Sequence, residues 1–84
     1  MKILVGNLAV ETGETDLLRA FEVFGVVDRV NVARTSLDGV SRGFAFVDIA
    51  LDGEARAAIK KLNGSTMHGR KLRVGEARRR TSKS

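Results

Sequence analysis

The sequence predicts a single α+β domain in which two helices pack on one face of a four-stranded antiparallel sheet. Three observations carry that expectation. Two stretches repeat apolar residues at helical spacing, and four others alternate apolar and polar residues, in the order β-α-β-β-α-β. At 84 residues the chain has room for one hydrophobic core. Amphipathic helices beside half-buried strands fit a two-layer arrangement that leaves one sheet face uncovered.

Each element has its own signature. Ile3–Val5 alternates with Lys2, Leu4 and Gly6, a short strand ending near Asn7–Leu8. Thr12 or Gly13 can cap a helix with Asp16 in its first turn. Leu17, Ala20, Phe21 and Phe24 form its apolar stripe, and Gly25 reads as its stop signal. Val26 to Ala33 is rich in β-branched residues, with Val30 and Val32 facing one way and Arg29 and Asn31 the other. Thr35 to Ser41 is a polar loop whose Asp38-Gly39 pair suits a turn between antiparallel strands. Gly43 to Ile49 is the strongest strand. Asp52 to Leu62 is a helix with Ala55, Ala58, Ile59 and Leu62 on its buried stripe, ended by Asn63-Gly64. Ser65 to Arg70 is a turn-rich connector, and Lys71 to Glu76 is a last strand with Leu72 and Val74 inward. The plan is the ferredoxin-like split βαβ arrangement over residues 1–77, followed by a basic tail, 78–84, with nothing apolar to pack and expected to be disordered.

Composition narrows the function classes. There are no cysteines, so neither a disulfide framework nor a Cys-based zinc site is available. No activated nucleophile and no paired carboxylates at a plausible spacing are evident, so nothing supports catalysis, and no cofactor or metal is expected. Lys2 and the apolar run from Ile3 to Val10 superficially resemble a signal peptide. However, Gly6 and Asn7 interrupt the run and Glu11 follows it, so a cytoplasmic location is expected. The formal charge is +5. Residues 1–76 hold 11 Lys/Arg and 10 Asp/Glu, whereas 77–84 adds Arg78, Arg79, Arg80 and Lys83 with no acid. The basic end leans toward a polyanionic partner.

Strand parity assigns the uncovered face. In the segment from Arg42 to Ile49, the small or aliphatic Ala45, Val47 and Ile49 suit packing under helices. Arg42, Phe44, Phe46 and Asp48 then look away from them. The same rule puts Lys2, Leu4, Arg29, Asn31, Lys71 and Arg73 on that side. Flat rings set among cations can stack on bases while the charges hold phosphates. The alternative is that Phe44 and Phe46 are covered by the tail or by a partner protein.

The run Arg42-Gly43-Phe44-Ala45-Phe46-Val47-Asp48-Ile49 resembles the eight-residue signature of the RNA recognition motif family at every position but the last. Ile3-Leu4-Val5-Gly6-Asn7-Leu8 looks like the family's six-residue signature on the first strand. Asn63-Gly64 and the segment from Gly69 to Val74 also resemble family members. The likeness spans residues 1–77, and the short form with a basic tail is similar to the bacterial single-domain members. The resemblance implies single-stranded RNA binding, with single-stranded DNA bound more weakly, by a monomer. Phe46 would stack under one base, Phe44 would lie against two sugars, and Arg42 would pair with the phosphate between them. Backbone groups near Glu76 and Ala77 would contact base edges. Two departures matter. Leu4 stands where the family usually has a stacking ring, which implies weakened affinity. Ile49 replaces an aromatic, but its parity points into the core.

Other residues carry plainer readings. Asn7 could touch nucleic acid or serve a turn at the strand end. The Arg78–Arg80 run could meet phosphates or be a solvated tail. His68, the single histidine, has no partner near it in sequence and reads as a turn residue. Lys60-Lys61 suits the C-terminal end of a helix dipole. A protein–protein module of the same family is the competing function, favoured by the missing ring at Leu4 and by Leu18, off the buried stripe of the first helix.

Overall fold

The computed structural model describes residues 1–34, 39 and 41–77, with Ser41 and Arg42 described by backbone alone. Its elements are β1 (Lys2–Gly6), α1 (Glu14–Glu22), β2 (Val27–Arg34), β3 (Ser41–Ile49), α2 (Asp52–Leu62), β4 (Thr66–Met67), β5 (Arg70–Lys71) and β6 (Arg73–Glu76). Four strands form one sheet in the order β2-β3-β1-β6, with every neighbouring pair antiparallel. The α+β, ferredoxin-like architecture is therefore as the sequence predicts. Asp38 and the tail 78–84 lie outside the described residues, as does the side chain of Arg42.

Alternation decides what the sheet buries. Ile3 and Val5 of β1 and Ala45, Val47 and Ile49 of β3 are fully buried, joined by Val32 and Val74 from the flanking strands. Leu17 and Phe21 of α1 and Ala55 and Ala58 of α2 close over them. Each large aliphatic or aromatic side chain so buried contributes roughly 1.5–3 kcal/mol. The small alanines let α2 approach closely. Helix α1 packs beside β2 and α2 beside β6, so each helix belongs to one flank of the sheet.

The helix α1 begins at Gly13, whose N–H donates to the Asp16 carboxylate at 3.0 Å. That is one half of a capping box, glycine having no side chain to supply the other. The helix stops at Glu22, and Phe24 follows in a turn, its N–H donating to the Phe21 carbonyl. Gly25 is consequently not the left-handed cap that its position suggests. A Cβ there would come within 2.8 Å of the Glu54 Cβ, so close approach of α2 is what requires glycine.

Two irregularities correct the expected strands. Between Val32 and Arg34 the β2–β3 register slips, and Gly43 adopts φ +88°, a bulge that only glycine adopts without strain. The last strand is also not continuous from Lys71 to Glu76. It breaks at Leu72, whose N–H donates to the Ser65 carbonyl and whose carbonyl accepts from Gly64. Lys71 instead belongs to a two-stranded β4–β5 ribbon, turned by His68 and Gly69 with positive φ at both.

Candidate nucleic-acid interface

The sheet face opposite the helices is built from the residues left over once the core is satisfied. On β3, Phe44, Phe46 and Asp48 are half-buried and alternate with the three fully buried residues. Register then fixes their neighbours. Phe46 lies between Leu4 on β1 and Asn31 on β2, Phe44 lies beside Gly6, and Asp48 lies between Lys2 and Arg29. The two rings meet edge to face, with centroids 6.0 Å apart and planes at 85°. The Lys2 ammonium sits 5.3 Å from the centroid of Phe46, within cation–π range.

Electrostatically, the described part of this face carries Lys2, Arg29 and Arg73 against Asp48. Lys71 stands on the ribbon beside the sheet, exposed. Arg73 is exposed opposite Gly6.

Strands β1 and β6 make a barer half of the face. Leu4 lies opposite Gly75, and Gly6 follows it along β1. Here an open depression of about 500 Å³ is lined by Leu4, Gly6 and Gly75 together with Asn63, Arg73, Val74 and Glu76. Alternation alone does not reveal this hollow, because a glycine has no side chain to assign. Asn63 is a further residue that sequence reasoning treats only as a helix end. Its Oδ1 accepts from the Val74 N–H at 3.0 Å, joining the end of α2 to the outer edge of β6. The Ala77 N–H donates to the Lys2 carbonyl at 2.8 Å, so that donor is used within the sheet. By antiparallel alternation the Glu76 N–H faces outward at the sheet edge.

Asn7 has a structural task. In the left-handed region at φ 60°, it donates through Nδ2 to the Lys71 carbonyl at 2.7 Å. Its Oδ1 accepts from Arg70 Nη2, and its carbonyl from Arg70 Nε. His68 does a similar job from the ribbon's turn, its Nε2 3.2 Å from Asp16 Oδ2 on α1. The Asp16 carboxyl is held below the usual aspartate range, first by the Gly13 N–H and then by His68. Arg34 similarly holds Glu14 low through a 2.7 Å bond. Among the described residues, no group of three His, Cys, Asp or Glu side chains could hold a metal ion, and no helix is long and apolar enough to cross a membrane.

The fold recurs in known proteins. Over 84 residues the chain is 40% identical to RbpA of Synechocystis sp., covering all of this chain and 83% of that protein. It is 38% identical to glycine-rich RNA-binding protein 4, mitochondrial, of Arabidopsis thaliana, over 96% of this chain and 60% of that protein. The crystal structure of RNA binding protein PG1 superposes with a TM-score of 0.91 at 39% identity, covering 98% of this chain and 99% of that one. A Sxl-lethal protein in complex with RNA gives a TM-score of 0.91 at 30% identity, over 96% of this chain and 48% of that one. The family model described as RNA recognition motif matches residues 3–73. On that match and these relatives, the chain belongs to the RNA recognition motif family.

Proposed function

We propose that this domain binds single-stranded RNA on the open sheet face, with bases stacking on Phe44 and Phe46 and phosphates held by the surrounding Arg and Lys side chains. One observation carries the reading above all: both rings lie on the face away from the helices, partly exposed, beside cations. Exposed rings add little to folding, whereas each base–aromatic stack is worth ~1–3 kcal/mol. Relatives named as RNA-binding proteins, and the Sxl-lethal complex with RNA, support the same ligand class. Lys2, Arg29, Arg73 and Arg42 supply charge, and Asn31, beside Phe46, offers an amide to a base edge. The outward Glu76 peptide reads a base over Gly75, and Arg78 adds a phosphate contact from beyond Ala77. Binding is weak and salt-sensitive because Leu4 offers no ring. Single-stranded DNA binds more weakly, and the domain acts as a monomer without catalysis.

Titration with a short single-stranded RNA tests this. Phe46→Ala should weaken binding roughly 5- to 150-fold, the equivalent of one lost stack. Unchanged affinity in a folded variant would refute the stacking platform. A second reading, a protein–protein module, is favoured by Leu18, which is 39% exposed and lines a groove between α1 and β2. It predicts chemical-shift changes on α1 with a protein partner and none on the sheet with RNA.

A further inference from the structure

The near-neutral charge of the folded domain conceals a separation along the chain. Residues 1–54 hold five Lys/Arg against nine Asp/Glu, whereas residues 55–75 hold six Lys/Arg and no acid at all. The fold gathers those six. Arg56, Lys60 and Lys61 lie on α2, Arg70 and Lys71 on the ribbon, and Arg73 on β6, and all six are exposed. Helix α2 packs beside β6, and Asn63 bonds its end to Val74. Ser65 joins the start of the ribbon to the helix, its hydroxyl donating to the Leu62 carbonyl. The elements that carry the cations, α2, the ribbon and β6, are thus held together along one flank of the domain, which meets the edge of the sheet face at Arg73.

Among the described residues no ion pair involves any of the six. Arg70 has a hydrogen-bond partner, but Asn7 is neutral and leaves its charge uncompensated. The helix dipole accounts for cations in the last turn of α2. It does not reach Arg56, which stands four residues after Asp52 at a spacing that suits an ion pair, but the Asp52 carboxylate lies instead 3.9 Å from the N-terminal ammonium. Nor does it account for a stretch of 21 residues without one acid.

We propose that this flank is a second RNA contact, taking the phosphodiester backbone of a segment that extends beyond the nucleotides on the sheet. It goes beyond the stacking platform and rests on that reading only for where the strand starts. Two features favour a polyanion over an acidic protein. No large hydrophobic residue between 55 and 75 is among the exposed ones, so a protein interface would lack an apolar centre. The flank also meets the sheet face at Arg73, which lies opposite Gly6. Phosphate contact needs charge without base-specific groups, and that is what the flank offers.

The test compares the parent domain with the triple variant Arg56→Gln, Lys60→Gln, Lys61→Gln, whose glutamines keep helix propensity. Three RNAs are titrated at several salt concentrations: a strand of about four nucleotides, an unstructured strand of about twenty, and a hairpin with a similar loop. The variant should bind the shortest strand like the parent. On a longer RNA its log K against log salt should flatten by about 2 for a single strand, or by about 2.7 for a duplex stem. Which long RNA responds identifies whether the flank takes single-stranded or stem phosphates. An unchanged slope on both overturns the proposal, as does charge-dependent binding of polyglutamate with no effect on RNA. Phe46→Ala keeps the two readings apart. Loss of short-strand binding there, with unchanged slopes in the triple variant, sinks the flank alone. A flattened slope beside an unaffected Phe46→Ala sinks the platform alone.

Discussion

Restoring a ring at Leu4 probes the asymmetry of the sheet face most directly. Leu4 is 39% exposed and lies between Phe46 and Gly75 in register. Nothing comes within 4 Å of where a Cβ on Gly75 would stand, so a phenyl group at position 4 has an open floor to lie on. Leu4→Phe should therefore leave folding stability within about 0.5 kcal/mol, as surface substitutions usually do. It should add one base–aromatic stack of ~1–3 kcal/mol, tightening binding to a short single-stranded RNA roughly 5- to 150-fold. Calorimetric titration reads the gain directly. Because no charge changes, the dependence on salt should keep the parent's slope. Should the variant show no gain while Phe46→Ala still weakens binding, no base passes over β1, and the hollow beside Gly75 is not part of the site.

Two further outcomes follow from packing and titration. Gly25→Ala should destabilise the domain by ~1–3 kcal/mol, because the new methyl group collides with Glu54 on α2. Urea unfolding measures this, and an unchanged midpoint would refute the close-approach argument. Asp16 and Glu14 both have folded pKa values depressed below their unfolded ones. Their contributions are therefore complete above the ordinary carboxylate range and disappear as pH falls through the folded values. The melting temperature should drop on acidification below about pH 5, and Asp16→Asn should make that drop shallower. An identical acid limb in the variant would show that the Gly13 and His68 bonds to Asp16 do not stabilise the fold.

Period-two alternation made the core legible, because burying one face of a strand demands apolar residues at every second position. Ile3, Val5, Ala45, Val47, Ile49 and Val74 are all buried as their parity requires. Both helices were readable from their stripes, and α2 matches its expected span from Asp52 to Leu62. What alternation misses is whatever depends on a contact distant in sequence. The ribbon exists because Asn7, 64 residues away from Lys71, holds it against the end of β1. Gly25 looks like a helix stop until Glu54 is placed beside it. The Gly43 bulge is likewise hidden from alternation, which assumes an unbroken ladder. Within the candidate site, the rings and their cations were visible from sequence. The hollow beside Leu4 was not, since it is defined by side chains that glycine lacks.

The hydrogen bond from Val74 to Asn63 has a consequence for how these molecules coexist at high concentration. A border strand with free, evenly spaced peptide groups is a template onto which another chain can add, the first step toward fibrils. Here the helix end occupies one of the two outward N–H groups of β6, and the opposite border, β2, has its ladder interrupted between Val27 and Arg29. A sheet whose platform must stay naked to meet its ligand is thereby kept from growing sideways into its own copies.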